Sequence, residues 1–292
     1  MVILQSRKSR FRQSVIIPTF NRAEVLRRAL NLLDLQTFTD FEVLVVDDGS
    51  TDLTARLLAE FQKKVSFPLK TFSQKNSGQA VARNLAIPHA TGEILIFLGD
   101  DMLPKNDLLQ KHHEFHQKFP AENFACLGIV KWHPEIHISR FMRWLTKSGA
   151  QFKFDDLRKN SATDFWRFYT SNLSLKKSFL AEEKFSENFS GWGFEDAELG
   201  YRLTKKGLKL LFEPDAVVEH FHEISSKSLK ERQFEAGKNL VEFQKLHPEI
   251  KILPTGGKLF LQKIIANFLP FTFYGKAKRA FLAGIAEARR GS

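Results

Sequence analysis

Three short runs constrain this chain most. Ser14–Pro18 (SVIIP), Phe41–Asp47 (FEVLVVD) and Glu93–Leu98 (EILIFL) are rich in β-branched residues and continuously apolar. Strands covered on both faces read this way, whereas strands with one wet face alternate. Between the first two runs Val25, Leu26, Ala29, Leu30 and Leu33 recur at intervals of three and four, and Leu53, Leu57, Leu58 and Phe61 do the same after the second. Those are the stripes of amphipathic helices. Ser50 and Asp52 are placed to cap the second helix and to put an acid in its first turn. Strands alternating with crossover helices predict a parallel, right-handed α/β sheet. Sheets of this kind bind ligands beyond the carboxyl ends of their strands. Here those ends carry PTFN, DDGS and GDD.

Further along, Phe124–Trp132 reads as a strand, Ile138–Leu145 as an amphipathic helix, and Phe168–Leu175 as a strand leading into a short helix. Glu195–Gly207 has helical spacing and closes on a glycine well placed for a C-terminal cap. A strand is expected near Ala216–His220 and a helix near Leu229–Leu246, and 251–292 is apolar and basic with a break at Pro270.

Charge is unevenly spread. The formal net charge is +11 over 292 residues, yet 13–250 holds 32 basic and 32 acidic residues. The excess lies in 1–12, with four basic residues and no acid, and in 251–292, with eight basic residues and one acid. A nucleic-acid-binding domain usually displays its cations over its own working face. Cationic ends on a neutral body suit an anionic surface better. The single cysteine, Cys126, can form neither an intramolecular disulfide nor a thiolate zinc site, which favours a reducing compartment. The basic N-terminus lacks a following apolar stretch and does not read as a signal peptide. The longest run without Asp, Glu, Lys or Arg, Ile264–Gly275, is too short to cross a bilayer.

Four groups carry chemistry. Asp47 and Asp48 end a strand before Gly49, an ordinary turn composition, but an acid at that point can also accept from a nucleobase or a sugar hydroxyl. Asp100 and Asp101 directly follow a buried run. Adjacent carboxylates there repel one another unless a cation or another donor is close, and carboxylates shared with substrate phosphates are the usual way to hold Mg²⁺ or Mn²⁺. The alternative is an acidic turn ahead of Pro104. In Ser190–Leu203 (SGWGFEDAELGYRL), Gly191 and Gly193 flank Trp192, whose flat face suits a sugar ring, and Glu195 and Asp196 open a helix. His220 and His222 stand at strand spacing, and His220 rises above a structural histidine only if Asp101 comes near it.

SVIIPTFNR, VLVVDDGSTD, NSGQAVARNLA, FLGDDMLP and GWGFEDAELGYRL occur in this order over about residues 13–225, and together they resemble the GT-A glycosyltransferases of family 2. The resemblance implies a GT-A, Rossmann-like, mostly parallel central sheet flanked by helices. Taken with the charge distribution, it divides the chain into a basic tail at 1–12, a catalytic domain at 13–225 and a basic, amphipathic helical extension at 226–292. Pro18, Phe20 and Asn21 match the family's first nucleotide-contacting loop, Asp48 the acid that reads the base, and Gly78, Arg83 and Asn84 the segment beside the nucleotide. Asp100 and Asp101 match the end of the DxD element, with Asp100 also near the nucleotide, and His220 a metal ligand on a late strand. Asp196 matches the catalytic base and Glu195 the residue that orients the acceptor. Where many members have a further Asp, this chain has Gly99, which leaves the contact of that Asp, to the ribose for example, without its usual residue.

The activity so implied is metal-dependent, inverting transfer from a nucleotide sugar, a UDP-sugar first among the candidates, to a hydroxyl of a glycan or lipid-linked acceptor, with Mn²⁺ or Mg²⁺ as cofactor. Trp192, Gly191 and Asn172 are expected at the sugar or acceptor. The competing readings are a nucleotidyltransferase and a catalytically silent sugar-binding or scaffold protein of the same fold. A dinucleotide-dependent dehydrogenase is disfavoured, because no G-x-G-x-x-G follows the first strand. Lys258–Arg290 interleaves aromatic and aliphatic residues with Lys and Arg, which predicts either an interfacial segment on an anionic membrane or a face packed on protein. The expected location is cytoplasmic, with peripheral membrane attachment.

Overall fold

The computed structural model describes residues 11–149, 151–189, 191, 193–269 and 271–290. The chain divides into two compact units. The first comprises the chain up to His133 with 154–184 and 200–221; the second comprises 134–153, 185–199 and 222–292. The second unit therefore draws two stretches from inside the expected catalytic domain as well as the C-terminal extension.

The first unit is built on one mixed sheet. Strand β1 (Phe11–Thr19) is followed by α1 (Ala23–Leu33), β2 (Phe41–Asp47), α2 (Thr54–Phe61), β3 (Leu69–Ser73), α3 (Gln79–Ala86) and β4 (Gly92–Leu98). β3, β2, β1 and β4 lie side by side and parallel. Val15, Ile16, Ile17, Val43, Leu44 and Val45 are wholly buried, as continuous apolar runs require of strands sandwiched between helices. β5 (Met102–Pro104), α4 (Leu108–Lys118), β6 (Phe124–Trp132), β7 (Ala162–Thr163), β8 (Asn172–Lys176), α6 (Lys177–Leu180) and β9 (Lys209–His220) complete the unit, once α5 (Arg140–Ser148) is assigned to the second. β8 joins β4 antiparallel, β6 pairs β8 antiparallel and β9 parallel, and β5 closes the edge antiparallel to β9.

One group of polar side chains in this core is linked by hydrogen bonds. The imidazole of His112 lies 2.8 Å from Ser174 Oγ and 3.0 Å from Asn172 Oδ1, and His116 reaches the same hydroxyl at 2.9 Å. Burial pushes both imidazoles down, His112 to about 4 and His116 to about 3. Asn172 is fully buried and donates to the carbonyls of Ile129 and Ala216. The expectation that Asn172 contacts the acceptor is thereby corrected. Its amide is engaged in the sheet interior, stitching β8 to β6 and β9.

The second unit is helical. It holds α5, the start of α7 (Glu195–Lys205), α8 (Leu229–Leu246), α9 (Gly256–Phe268) and α10 (Phe273–Arg290). Gly237 on α8 and Gly284 on α10 let the two backbones touch, since a Cβ at either would overlap a carbonyl of the facing helix. Leu240, Val241 and Ile285 form the buried seam, with Phe194, Ile252 and Phe281 packed around it.

Candidate active site

The parallel strands β1, β2 and β4 end in the three polar motifs, and their loops interlock. Asn21 sits just past β1 in a left-handed conformation, φ 52°. From there its Oδ1 accepts from the amides of Thr51 and Asp52, while its own N–H donates to Ser50 Oγ. Asp52 accepts from the N–H of Ala23 at 3.0 Å and from that of Thr54 at 2.9 Å, so one carboxylate serves the starts of both α1 and α2. Phe20 is left 43% exposed at the mouth of these loops, and Pro18 pairs in register with Val46 inside the sheet.

Asp47 and Asp48 are both about 95% buried. Asp47 Oδ1 accepts from the N–H of Ser50, the turn that Gly49 permits with φ 82°. Asp48 organises the next loop. Its Oδ1 accepts from Gln74 Nε2 and from the N–H of Ser77, and its Oδ2 from the N–H of Gly78 at 2.8 Å. Gly78, φ 92°, begins α3. Of the roughly four acceptor directions of a carboxylate, these three donors take most. On α3, Arg83 is buried and donates to Gln79 Oε1, with Asn84 half-buried beside it.

Asp100 and Asp101 meet different partners. Asp100 Oδ2 accepts from Thr19 Oγ1 at 2.8 Å. Nη1 of Arg22 lies 3.0 Å from Asp100 Oδ1 and 2.5 Å from Asp101 Oδ2. The same Asp101 oxygen stands 3.2 Å from His220 Nε2. His220 is fixed from both sides. It pairs with Met102 across β5 and with Trp132 across β6, and the Trp132 ring stacks on the imidazole with centroids 5.0 Å apart. The proximity of Asp101 that would lift His220 above a structural histidine is present. His222 falls beyond the end of β9, so the two histidines do not share a strand. Burial, reinforced by the charge of Asp101, raises the Asp100 carboxyl to about 6, against the opposing pull of Arg22 and Thr19. For Arg22 burial works downward, but its two carboxylate partners outweigh it and hold the guanidinium above its ordinary value.

This donor set fits a hard divalent cation. Asp101 and His220 converge through one oxygen and one ring nitrogen, with the second carboxylate adjoining. Among the described residues no three His, Cys, Asp or Glu side chains gather around one point. A cation here would take its other ligands from outside the chain, as Mg²⁺ does with substrate phosphates.

Gly191, Glu195 and Asp196 belong to the second unit. Gly191, Gly193 and Phe194 all have positive φ, 71°, 93° and 80°. Trp192, the expected sugar platform, lies outside the described residues. The carbonyl of Gly193 accepts from Asn239 Nδ2, and the Phe194 ring meets Phe243 edge-on, so α8 holds this segment. Glu195 and Asp196 are half-buried in the first turn of α7, where the helix dipole favours carboxylates. Below them burial pushes the Glu198 carboxyl up, against the lowering effect of His247, which lies 2.8 Å away.

Three residues of the acid cluster carry no role in the sequence reading: Thr19, Arg22 and Trp132. The repulsion between adjacent acids called for a cation, and Arg22 is a basic residue within the PTFNR motif itself. Trp132 gives no comparable signal, because only strand pairing brings it to His220.

A sheet with this order, carrying an acid cluster at its strand ends, in a chain that continues into a helical C-terminal region, is of the GT-A type. The chain matches Glycosyl transferase family 2 over residues 14–174, more than half of its length, and belongs to that family. It is 34% identical over 248 residues to validoxylamine A glucosyltransferase of Streptomyces hygroscopicus subsp. jinggangensis, an alignment covering 74% of this chain and 58% of the relative. The chain thus spans less than two thirds of that relative's length. Among solved structures it is similar to the mannosyltransferase PcManGT from Pyrobaculum calidifontis in complex with GDP-Man and Mn²⁺, with a TM-score of 0.60 at 20% identity over 97% of this chain and 76% of that one. It is also similar to TarS of S. aureus in complex with UDP-GlcNAc, with a TM-score of 0.54 at 18% identity over 96% and 92% of the two chains.

Proposed function

We propose that the chain transfers a sugar from a nucleotide-sugar donor to a hydroxyl of a glycan or lipid-linked acceptor, inverting the anomeric carbon and using Mn²⁺ or Mg²⁺. The observation that carries this reading is the cluster of Asp100, Asp101 and His220 at the strand ends of a family 2 chain. A divalent cation, when bound, supplies Lewis-acid stabilisation of the charge that develops on a departing diphosphate. Asp101 and His220 would hold it, with Asp100 turned toward the nucleotide. Asp48 accepts from the base, and Pro18 at the end of β1 and the loops carrying Phe20, Asn21 and Gly78 border the nucleotide. Arg83 and Asn84 back them from α3. A UDP-sugar and a GDP-sugar both have precedent among the similar structures.

Asp196 would accept the proton of the attacking hydroxyl, with Glu195 orienting the acceptor and Gly191 and Trp192 framing the sugar. Asp196→Asn is expected to leave donor binding intact while turnover falls by roughly 10² or more; near-normal turnover removes it as the base. A thermal-shift screen of nucleotide sugars with and without Mn²⁺ tests the donor side. Stabilisation should require a nucleotide sugar and the metal together. Release of a nucleoside diphosphate is expected, and release of pyrophosphate would overturn the reaction class in favour of nucleotidyl transfer.

The C-terminal extension supports a peripheral membrane location. No helix among the described residues is long and apolar enough to cross a bilayer. On α9 and the turn into α10, however, Phe260, Leu261, Phe268 and Phe271 are 57–90% exposed, and Lys258, Lys263 and Lys276 lie exposed among them. Basic residues near anionic lipid contribute about 1 kcal/mol each, and the aromatic side chains add apolar contact. Vesicles containing phosphatidylserine should co-sediment the full chain and retain much less of the Phe268→Ser/Phe271→Ser double variant. Equal retention of the two would remove this attachment.

A further inference from the structure

One nitrogen occupies the place between the two acids. Nη1 of Arg22 touches Asp100 Oδ1 and Asp101 Oδ2 at once, and the Asp101 oxygen it touches is the one that faces His220 Nε2. The acids and the histidine are lodged, their side chains only 5–12% exposed. The Arg22 side chain is 35% exposed, and Arg22 is the residue just ahead of α1. Of the four groups it is the one with room to leave. Mg²⁺ sits about 2.0–2.1 Å from its oxygen ligands, so a cation of this kind taken up by Asp101 and His220 would share that oxygen with the guanidinium. Two positive centres on one buried carboxylate oxygen repel strongly, because solvent screens them poorly.

We propose that Arg22 is a resident counter-ion that competes with the divalent cation for Asp101, so that the site accepts a cation together with a nucleoside diphosphate rather than ahead of it. The inference rests on the metal reading of the proposed function. Without ligand the guanidinium offsets one charge of an acid pair that would otherwise repel itself. When a metal–diphosphate unit enters, the guanidinium releases Asp101, keeps or exchanges its bond to Asp100, and offers its charge to the diphosphate oxygens, with which it can form paired hydrogen bonds. The diphosphate thus brings both the missing metal ligands and a new anionic partner for the displaced arginine. No covalent step is involved.

Titration of the full chain with Mn²⁺, following free Mn²⁺ by electron paramagnetic resonance, tests this without any activity assay. Wild type should bind Mn²⁺ alone at least tenfold more weakly than it does with UDP or GDP present. Arg22→Gln should bind Mn²⁺ alone at least tenfold more tightly than wild type, and should lose most of that advantage once nucleoside diphosphate is added. Circular dichroism confirms that the variant is folded. Should Arg22→Gln fail to fold, Arg22→Lys preserves the charge without the planar fork and is expected to bind Mn²⁺ alone about threefold more tightly than wild type. A folded Arg22→Gln no tighter than wild type, with diphosphate-supported binding intact, overturns the role of Arg22 and spares the metal reading. In the Lys variant, equal affinity does the same. If Mn²⁺ binds neither protein with UDP or with GDP, both fall.

Discussion

The two strands that flank β1 end in the same dipeptide. Asp47–Asp48 straddles the end of β2 and Asp100–Asp101 stands just past β4, all four residues more than 90% buried. Their partners differ. The first pair is answered by backbone amides of Ser50, Ser77 and Gly78 with one side-chain amide. The second is answered by a hydroxyl, a guanidinium and an imidazole. Backbone donors are fixed by the loop they belong to, so Asp48 shapes a loop and leaves little for exchange. Side-chain cations can move away, so Asp101 can trade partners. One dipeptide in one kind of position thus acts as scaffold at one strand end and as an exchangeable site at the other.

Substitution of the exchangeable pair should separate function from stability most sharply. Asp101→Asn is expected to abolish Mn²⁺-dependent donor binding in calorimetry and to lower turnover by roughly 10² or more, the scale of losing transition-state charge stabilisation. Thermal stability should stay within about 1 kcal/mol of wild type, because the change also relieves like-charge repulsion. Donor binding that persists unchanged would place the metal elsewhere. Asp48→Ala is the opposite experiment. It strips partners from two loop amides and a glutamine side chain, and hydrogen bonds to charged groups contribute roughly 1.5–3 kcal/mol each. Unfolding should show a loss of about 3 kcal/mol in denaturant titration without ligand. A variant as stable as wild type would mean that the loop holds itself.

How much of this was legible follows from which signals are local. β1, β2, β4, β6 and α8 announce themselves by period and composition, because burial on two faces or one stripe leaves a mark in every few residues. β3 (LKTFS) is half-buried at the sheet edge, and β5 is three residues long. Neither accumulates enough pattern to read. At the site, the acid pair and His220 were visible as residues, yet their meeting depends on the register of Met102 with His220, which no local pattern encodes. Asn172 misled for the same reason. A polar residue amid apolar ones looks like a pocket contact until His112 and the carbonyls of Ile129 and Ala216, distant in sequence, are seen to satisfy it.

That buried network supplies a contrast with both acid pairs, since it holds polar groups with no charge at all. The folded His112 imidazole titrates near 4, against 6.5 when unfolded, chiefly through burial. Above pH 6.5 both states are neutral and the stability it permits is fully present. Between about 6.5 and 4 the unfolded chain takes up a proton that the folded chain refuses, and stability falls by about 3 kcal/mol for this group. Denaturant titrations across that range should show the decline, and His112→Gln should lessen it, leaving the share that belongs to His116. A profile unaltered by the variant would assign the acid sensitivity to other groups.

The smallest expected effect probes the missing acid. A Cβ at Gly99 would lie 3.1 Å from Met102 Cγ and 3.2 Å from Asp101 Oδ1. The methionine side chain can yield, but the new carboxylate of Gly99→Asp would stand beside two buried acids already sharing Arg22. Crowding and like charge together predict a loss of about 1–2 kcal/mol without ligand, read by thermal shift. Mn²⁺ with a nucleotide sugar should restore most of it, since the cation replaces the overextended arginine and the added oxygen gains a donor from the ligand. A ligand-free variant as stable as wild type would show that Arg22 has charge to spare, and would narrow the difference between the two strand ends to geometry alone.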